Sequence, residues 1–250
     1  MSAKLKSVLR SSYAWAVVGL GFVFHLFFGL AMMVFAKDKE YAHLRATRPF
    51  VRAALFLNGI SLRVEGTEHI PRDRTVMFLS NHLSLLDILA YIAAIPIKFA
   101  FVAKKELFSV PILGWDLRLQ GHVRIDRDNS RSAHAQLAHL VDKVKAGKSL
   151  LIFAEGTRSP DGHLQPFKRG PFVVAQAAGV PLIPCAITGT DQVIKKHSLS
   201  TSRAGIVIRF GLPLIPADIV DPTASEKDQT LQLQQAVHDA VSGLLEKETP

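Results

Sequence analysis

Residues 133–153, AHAQLAHLVDKVKAGKSLLIF, read as one helix followed at once by one strand. Ala133, Leu137, Leu140, Val141 and Val144 recur at helical spacing, whereas Ser149–Phe153 is a continuous apolar run of strand length. Gly147 stands between them, where a helix ends most easily on a residue free to turn left-handed. Working outward, Thr75–Leu79, Lys98–Val102, Pro181–Ile187 and Ile206–Phe210 have the same strand character, with Ser61–Val64 and His122–Ile125 as weaker candidates. Leu233, Val237, Ala240, Val241 and Leu244 mark a second helix near the C-terminus. This alternation predicts an α/β fold, a mixed and largely parallel sheet flanked by helices. With 250 residues, 48% of them hydrophobic, the chain can bury one sizeable core.

The chemistry sits at two strand ends. Phe153 is followed by Ala154-Glu155-Gly156-Thr157-Arg158-Ser159, in which a flexible backbone, a hydroxyl and a guanidinium fork form the donor set that a phosphate monoester needs. A polar turn with Arg158 solvated or paired to Glu155 is the plainer account, but it leaves the basic sequel Lys168-Arg169-Gly170 unexplained. Upstream, Asn81-His82-Leu83-Ser84-Leu85-Leu86-Asp87 places a histidine just before a helix and a carboxylate about one turn in. Such a pair can deprotonate a hydroxyl, the carboxylate fixing the imidazole tautomer. The same residues fit a capping box, with Ser84 as cap and Asp87 reaching back to an amide. No Gly-x-Ser-x-Gly elbow occurs, so the hydroxyl is expected to be the substrate's own.

Taken in order, these segments resemble the 1-acylglycerol-3-phosphate acyltransferase family, whose hallmark is Asn-His-x4-Asp followed by Phe-Pro-Glu-Gly-Thr-Arg-Ser. Ala154 stands where the family has proline, which loosens the turn and deletes no polar group. Gly121–Arg127 resembles the family's second block and Val180–Pro184 its fourth, so the likeness runs from about Leu62 to Pro213. The resemblance implies acyl transfer from acyl-CoA or acyl carrier protein to the sn-2 hydroxyl of lysophosphatidic acid, with no other cofactor and no metal. His82 would be the base and Asp87 its orienter. Arg127, Glu155, Gly156, Thr157 and Arg158 would form the acceptor phosphate region, with Glu155 orienting Arg158 or an amide. Lys105 would be an extra cation or a solvated surface lysine, and Asn81 would orient the His82 loop or close a turn. Another lysolipid acceptor, such as a lyso-ornithine lipid, and a lipid-binding protein without turnover remain alternatives.

The N-terminus points to a membrane. Tyr13–Ala36 is a run of 24 residues whose one strongly polar member is His25. As a helix it would measure roughly 36 Å, enough to cross a bilayer core or lie in one leaflet. Val34-Phe35-Ala36 could pass for a signal cleavage site, but the run is longer than a signal core, so it is expected to be retained. Phe50–Ile60, interrupted by Arg52, is too short to cross and, as the family resemblance implies, would fold back beside the first segment. Residues 1–60 are thus expected to form a membrane-associated helical segment and residues 61–250 the acyltransferase domain. Lys37, Lys39, Arg45, Arg48 and Arg52 follow the run, against Lys4, Lys6 and Arg10 before it, so a helix that crosses is expected to leave the domain on the cytoplasmic side, whereas for one that lies in a leaflet the count decides nothing. The net charge of +9 favours anionic lipid or phosphorylated substrates; the cations are spread along the chain and no nucleic-acid module occurs. A lone cysteine, Cys185, excludes disulfides within the chain, and His134 and His139 lack zincin spacing. Gly147-Lys148-Ser149 is not a phosphate loop, because Asp142 stands where its first glycine should be.

Overall fold

The computed structural model describes residues 2–126, 132–196 and 198–247. Helix α1 spans Ala3–Phe35 and is about 50 Å long. It begins well before the apolar run at Tyr13 because Ser2 caps it, accepting from Leu5 N. A short turn leads to α2, Lys39–Leu57, capped by Asp38. The two helices form an antiparallel hairpin: His25 meets His43, and the Tyr13 hydroxyl donates to Leu57 O near the far end. The outer face of α1 leaves Val23, Phe24, Phe27, Phe28 and Phe35 exposed, and the helix is long and apolar enough to cross a membrane.

Seven strands follow: β1 Ser61–Glu65, β2 Met77–Ser80, β3 Ala100–Lys104, β4 Val123–Ile125, β5 Leu150–Phe153, β6 Leu182–Thr188 and β7 Gly205–Phe210. They form one sheet in the order β1-β7-β6-β2-β5-β3-β4. Every neighbouring pair is parallel except β6 with β7, so the sheet is mixed and largely parallel. The connecting helices are α3 Leu86–Ala94, α4 Leu113–Leu119, α5 Ala133–Lys145, α6 Gly170–Ala178, α7 Thr190–Val193, α8 Pro216–Ile219 and α9 Glu226–Glu246. One face of the sheet packs Phe78, Phe101 and Ile183 against α2 and α3. The other packs Leu79, Leu150 and Ala186 against α5, α6 and α9. Strands covered on both sides are nearly continuous apolar runs, which is why they are visible in the sequence.

α2 departs from expectation. The apolar stretch from Phe50 catches its second half only, because the first half is amphipathic: Ala42, Leu44, Ala46 and Thr47 are buried while Arg45 is exposed. Leu44, Val51 and Leu55 belong to the core against the sheet, and Arg48 and Arg52 donate to the carbonyls of Pro96, Ile97 and Ala93. The change of character at residue 60 is therefore not a break in packing, and the domain expected over 61–250 takes α2 into its core. Burying three such aliphatic side chains contributes about 5–9 kcal/mol, comparable to the whole stability of a domain. Deleting residues 1–35 should accordingly leave a protein that melts cooperatively, whereas deleting 1–60 should abolish the transition in circular dichroism. A cooperative melt for the shorter chain would show that α2 is dispensable.

Candidate active site

β2 and β5 are adjacent and parallel, so the turns leaving their carboxyl ends face one another. In open α/β sheets ligands bind at such ends. The turn after β2 is held by the sheet itself. Asn81 Nδ2 donates to Ile187 O and Asn81 Oδ1 accepts from Ile187 N, both at 2.9 Å, so its side chain extends the pairing of β2 with β6. Of the two roles expected for Asn81, this gives it the first, holding the His82 loop; with both its polar groups used and the residue buried, it is not placed to contact substrate. Ser80 Oγ meets the Tyr91 hydroxyl at 2.6 Å, and Ser84 Oγ donates to Ile194 O at 2.7 Å. Ser84 is therefore a tether more than a helix cap, its contact to Leu86 N being 3.4 Å.

Asp87 lies in the first turn of α3 and is fully buried. Its Oδ2 accepts from His82 Nδ1 at 2.6 Å, Leu83 N at 2.7 Å and Ser84 N at 3.0 Å, and its Oδ1 accepts from Thr190 Oγ1. One carboxylate thus closes the start of the helix and orients the imidazole, so both readings of the motif hold at once. A carboxylate oxygen only accepts, so Nδ1 carries the ring proton and Nε2 presents its lone pair. The ring stacks on Phe153, centroids 3.9 Å apart and 13° from parallel, and the side chain is 13% exposed. A base with its tautomer fixed and its basic nitrogen accessible can take a proton from a bound hydroxyl.

The turn after β5 is tied to the same loop. Glu155 Oε1 accepts from His82 N at 3.3 Å, and Ser159 N donates to His82 O at 2.7 Å. Glu155 is 2% exposed, and its Oε2 has no partner among the described residues. Burial pushes its carboxyl up to about 7, with the backbone amides of His82 and Gln165 opposing and the charges of Asp87 and Asp161 adding. Of the two roles expected for Glu155, the structure gives it the amide, that of His82. Because its folded value lies above the unfolded one, Glu155 favours folding fully below about pH 4.5, and that contribution is lost as pH rises through about 7. Glu155→Gln should therefore raise the melting temperature relative to wild type at pH 8 and lose that advantage by pH 4. Equal shifts at both pH values would show that this carboxyl ionises normally.

Gly156 has φ +77°, and a Cβ there would sit 3.1 Å from Lys168 Cγ, so glycine both makes the turn and admits Lys168. Thr157 is exposed, and Arg158 is half-buried with its carbonyl accepting from Lys196 Nζ at 2.7 Å. The turn thereby gathers Arg158, Lys168 and Lys196. Lys105 is exposed and ion-paired with Asp126 beyond β4, while Arg127 lies outside the described residues. Beside the turn, on the α5 side of the sheet, a cavity of about 480 Å³ is lined by Val102, Ile125, Leu137, Ile152, Phe153 and Lys168 among others. Phe153, Thr190 and Lys196 are site residues that the sequence did not mark as such. Thr190 is 103 positions from Asp87, with no local pattern to announce it.

The acyltransferase family model matches residues 61–188, just over half of the chain and the part that carries both turns. The chain belongs to the acyltransferase family. It is 36% identical over 136 residues to a chloroplastic 1-acyl-sn-glycerol-3-phosphate acyltransferase of Brassica napus, an alignment covering 54% of this chain and 39% of that one. A chloroplastic enzyme of the same description from Arabidopsis thaliana is 33% identical over 170 residues, covering 66% of this chain and 48% of that one. The chain thus spans about half the length of these curated relatives. The crystal structure of the 1-acyl-sn-glycerophosphate acyltransferase PlsC from Thermotoga maritima superposes with a TM-score of 0.82 at 27% identity, covering all of both chains. This family member therefore shares that mixed sheet and its flanking helices.

Proposed function

We propose that this chain transfers an acyl group from a thioester, acyl-CoA or acyl carrier protein, to the sn-2 hydroxyl of 1-acylglycerol-3-phosphate, giving phosphatidic acid. The observation that carries the reading is the His82–Asp87 pair at 2.6 Å, with the cationic turn after β5 hydrogen-bonded to the His82 main chain. His82 Nε2 takes the hydroxyl proton as the oxygen attacks the thioester carbonyl. Collapse of the tetrahedral intermediate breaks the carbon–sulfur bond, and the imidazolium returns the proton to the leaving thiolate. Asp87 stabilises that imidazolium, and the chemistry needs no cofactor beyond the thioester. Arg158 and Arg127, with the Thr157 hydroxyl and the Gly156 amide, take the acceptor phosphate; Lys168 and Lys196 add charge around the same turn. Lys105 extends that charge toward β4. The hairpin of α1 and α2 anchors the enzyme in the bilayer with the sheet on the cytoplasmic side, where lysophosphatidic acid reaches the site from the membrane. Nucleic acid has no part in this reading.

The test is purified full-length protein in lipid vesicles with radiolabelled acyl-CoA or acyl carrier protein and a panel of lysolipids. Labelled phosphatidic acid is the expected product. Label in a diacyl ornithine lipid instead, or in no lipid, would overturn the assignment. Arg158→Lys keeps the charge and loses the planar fork, so the KM for the acceptor should rise more than that for the thioester. An effect confined to the thioester would move this cation to the carrier's own phosphates.

A further inference from the structure

α1, α2 and α4 meet at three side chains that no sequence spacing connects. His25 Nε2 lies 3.1 Å from Asp116 Oδ1, and His43 Nε2 lies 2.7 Å from the same oxygen. The three atoms fall within 4.8 Å of one another, and each residue is 3% exposed or less. Gly29 makes room for the arrangement, since a Cβ there would overlap the His43 ring.

We propose that His25, His43 and Asp116 bind a divalent transition-metal ion, zinc being the best match, which pins the membrane helix α1 to α2 and α4. Two imidazoles and one carboxylate suit zinc, whose bonds to nitrogen and oxygen are about 2.0–2.2 Å. Tetrahedral edges at that bond length are about 3.3 Å, so the observed separations of 3.1 and 2.7 Å need to open by only tenths of an ångström. The outer shell is partly built. Asp116 Oδ2 accepts from Gln120 Nε2 at 2.8 Å, which orients the carboxylate as second-shell donors do in metal sites. A cavity of about 150 Å³ lined by His25, Asp116, Gln120 and His122 gives space for a water as fourth ligand. Gln120 Oε1, buried and without a partner among the described residues, is an acceptor for that water. Each imidazole would bind through the Nε2 lone pair and carry its proton on Nδ1, which at His43 is buried with no partner among the described residues. The site lies apart from His82 and takes no part in the acyl transfer proposed above.

The test uses full-length protein, purified in detergent without a polyhistidine tag, stripped with chelator and titrated with Co(II). We expect the visible bands of tetrahedral cobalt to saturate at one ion per chain, to vanish on adding Zn(II), and to be lost in His43→Gln and Asp116→Asn. Zn(II) should raise the melting temperature of the wild type and of His134→Gln but of neither cluster variant. Failure of the stripped wild type to bind either ion overturns the site whatever the variants do. Bands that persist in folded His43→Gln and Asp116→Asn overturn it equally.

Discussion

Turnover of His82→Ala is expected to fall by about 10²–10⁴, the usual contribution of a positioned general base, while the melting temperature changes little. The separation of the two effects follows from how the residue is held. Its main chain makes the contacts that fix the loop, His82 N to Glu155 and His82 O from Ser159, and both survive in alanine. Its ring contributes the stack on Phe153 and one hydrogen bond to Asp87, whose Oδ2 would still accept from Leu83 N and Ser84 N. Steady-state rates at saturating thioester and acceptor, read beside thermal melts, check this. A rate within a few-fold of wild type would sink the base assignment and leave His82 as a loop residue.

Asp87→Asn should be as damaging to turnover and should also cost stability. The carboxylate accepts four hydrogen bonds, from the His82 ring, two main-chain amides and the Thr190 hydroxyl, at a fully buried position. An amide has one acceptor oxygen, so at least one buried donor loses its partner at about 1–3 kcal/mol. If the amide oxygen keeps the two main-chain donors, its nitrogen faces Thr190; if it turns, the His82 tautomer is no longer enforced. In a serine protease the equivalent substitution costs about 10⁴ through the wrong tautomer, and a loss of about 10²–10⁴ is expected here on the same grounds. The measurement is turnover together with the urea midpoint. Full activity with lowered stability would reduce Asp87 to its capping role.

The parts of this fold legible in the sequence are those governed by local pattern. β2, β3, β5, β6 and β7 correspond to apolar runs because both faces of the sheet are covered there, whereas the edge strands β1, SLRVE, and β4, VRI, are partly exposed and give only a weak pattern. α1 was visible as a hydropathy feature, although its start depends on a cap at Ser2 that hydropathy does not register. α2 was half-seen, because a helix whose one face carries arginines to neighbouring carbonyls looks polar until those carbonyls are in place. At the site, His82, Asp87 and the turn after β5 were legible because their chemistry lies within short segments. The partner of Asn81 was not legible, because Ile187 is on a strand 106 positions away. Thr190 and the meeting of His25, His43 and Asp116 were illegible for the same reason: tertiary packing, not spacing, brings them together.

α3 begins at Asp87's turn and ends where Arg52 holds Ala93 O and Arg48 holds the carbonyls of Pro96 and Ile97 just beyond it. One end therefore belongs to the carboxylate that orients His82 and the other to α2 of the N-terminal hairpin. A nine-residue helix is a lever about 13 Å long, so tilting it by about 5° displaces an end by about 1 Å. A misplacement of about 1 Å at a reacting centre can cost on the order of 10²-fold in rate. A shift of the hairpin against the sheet thus has a mechanical route to the imidazole that involves no bound effector.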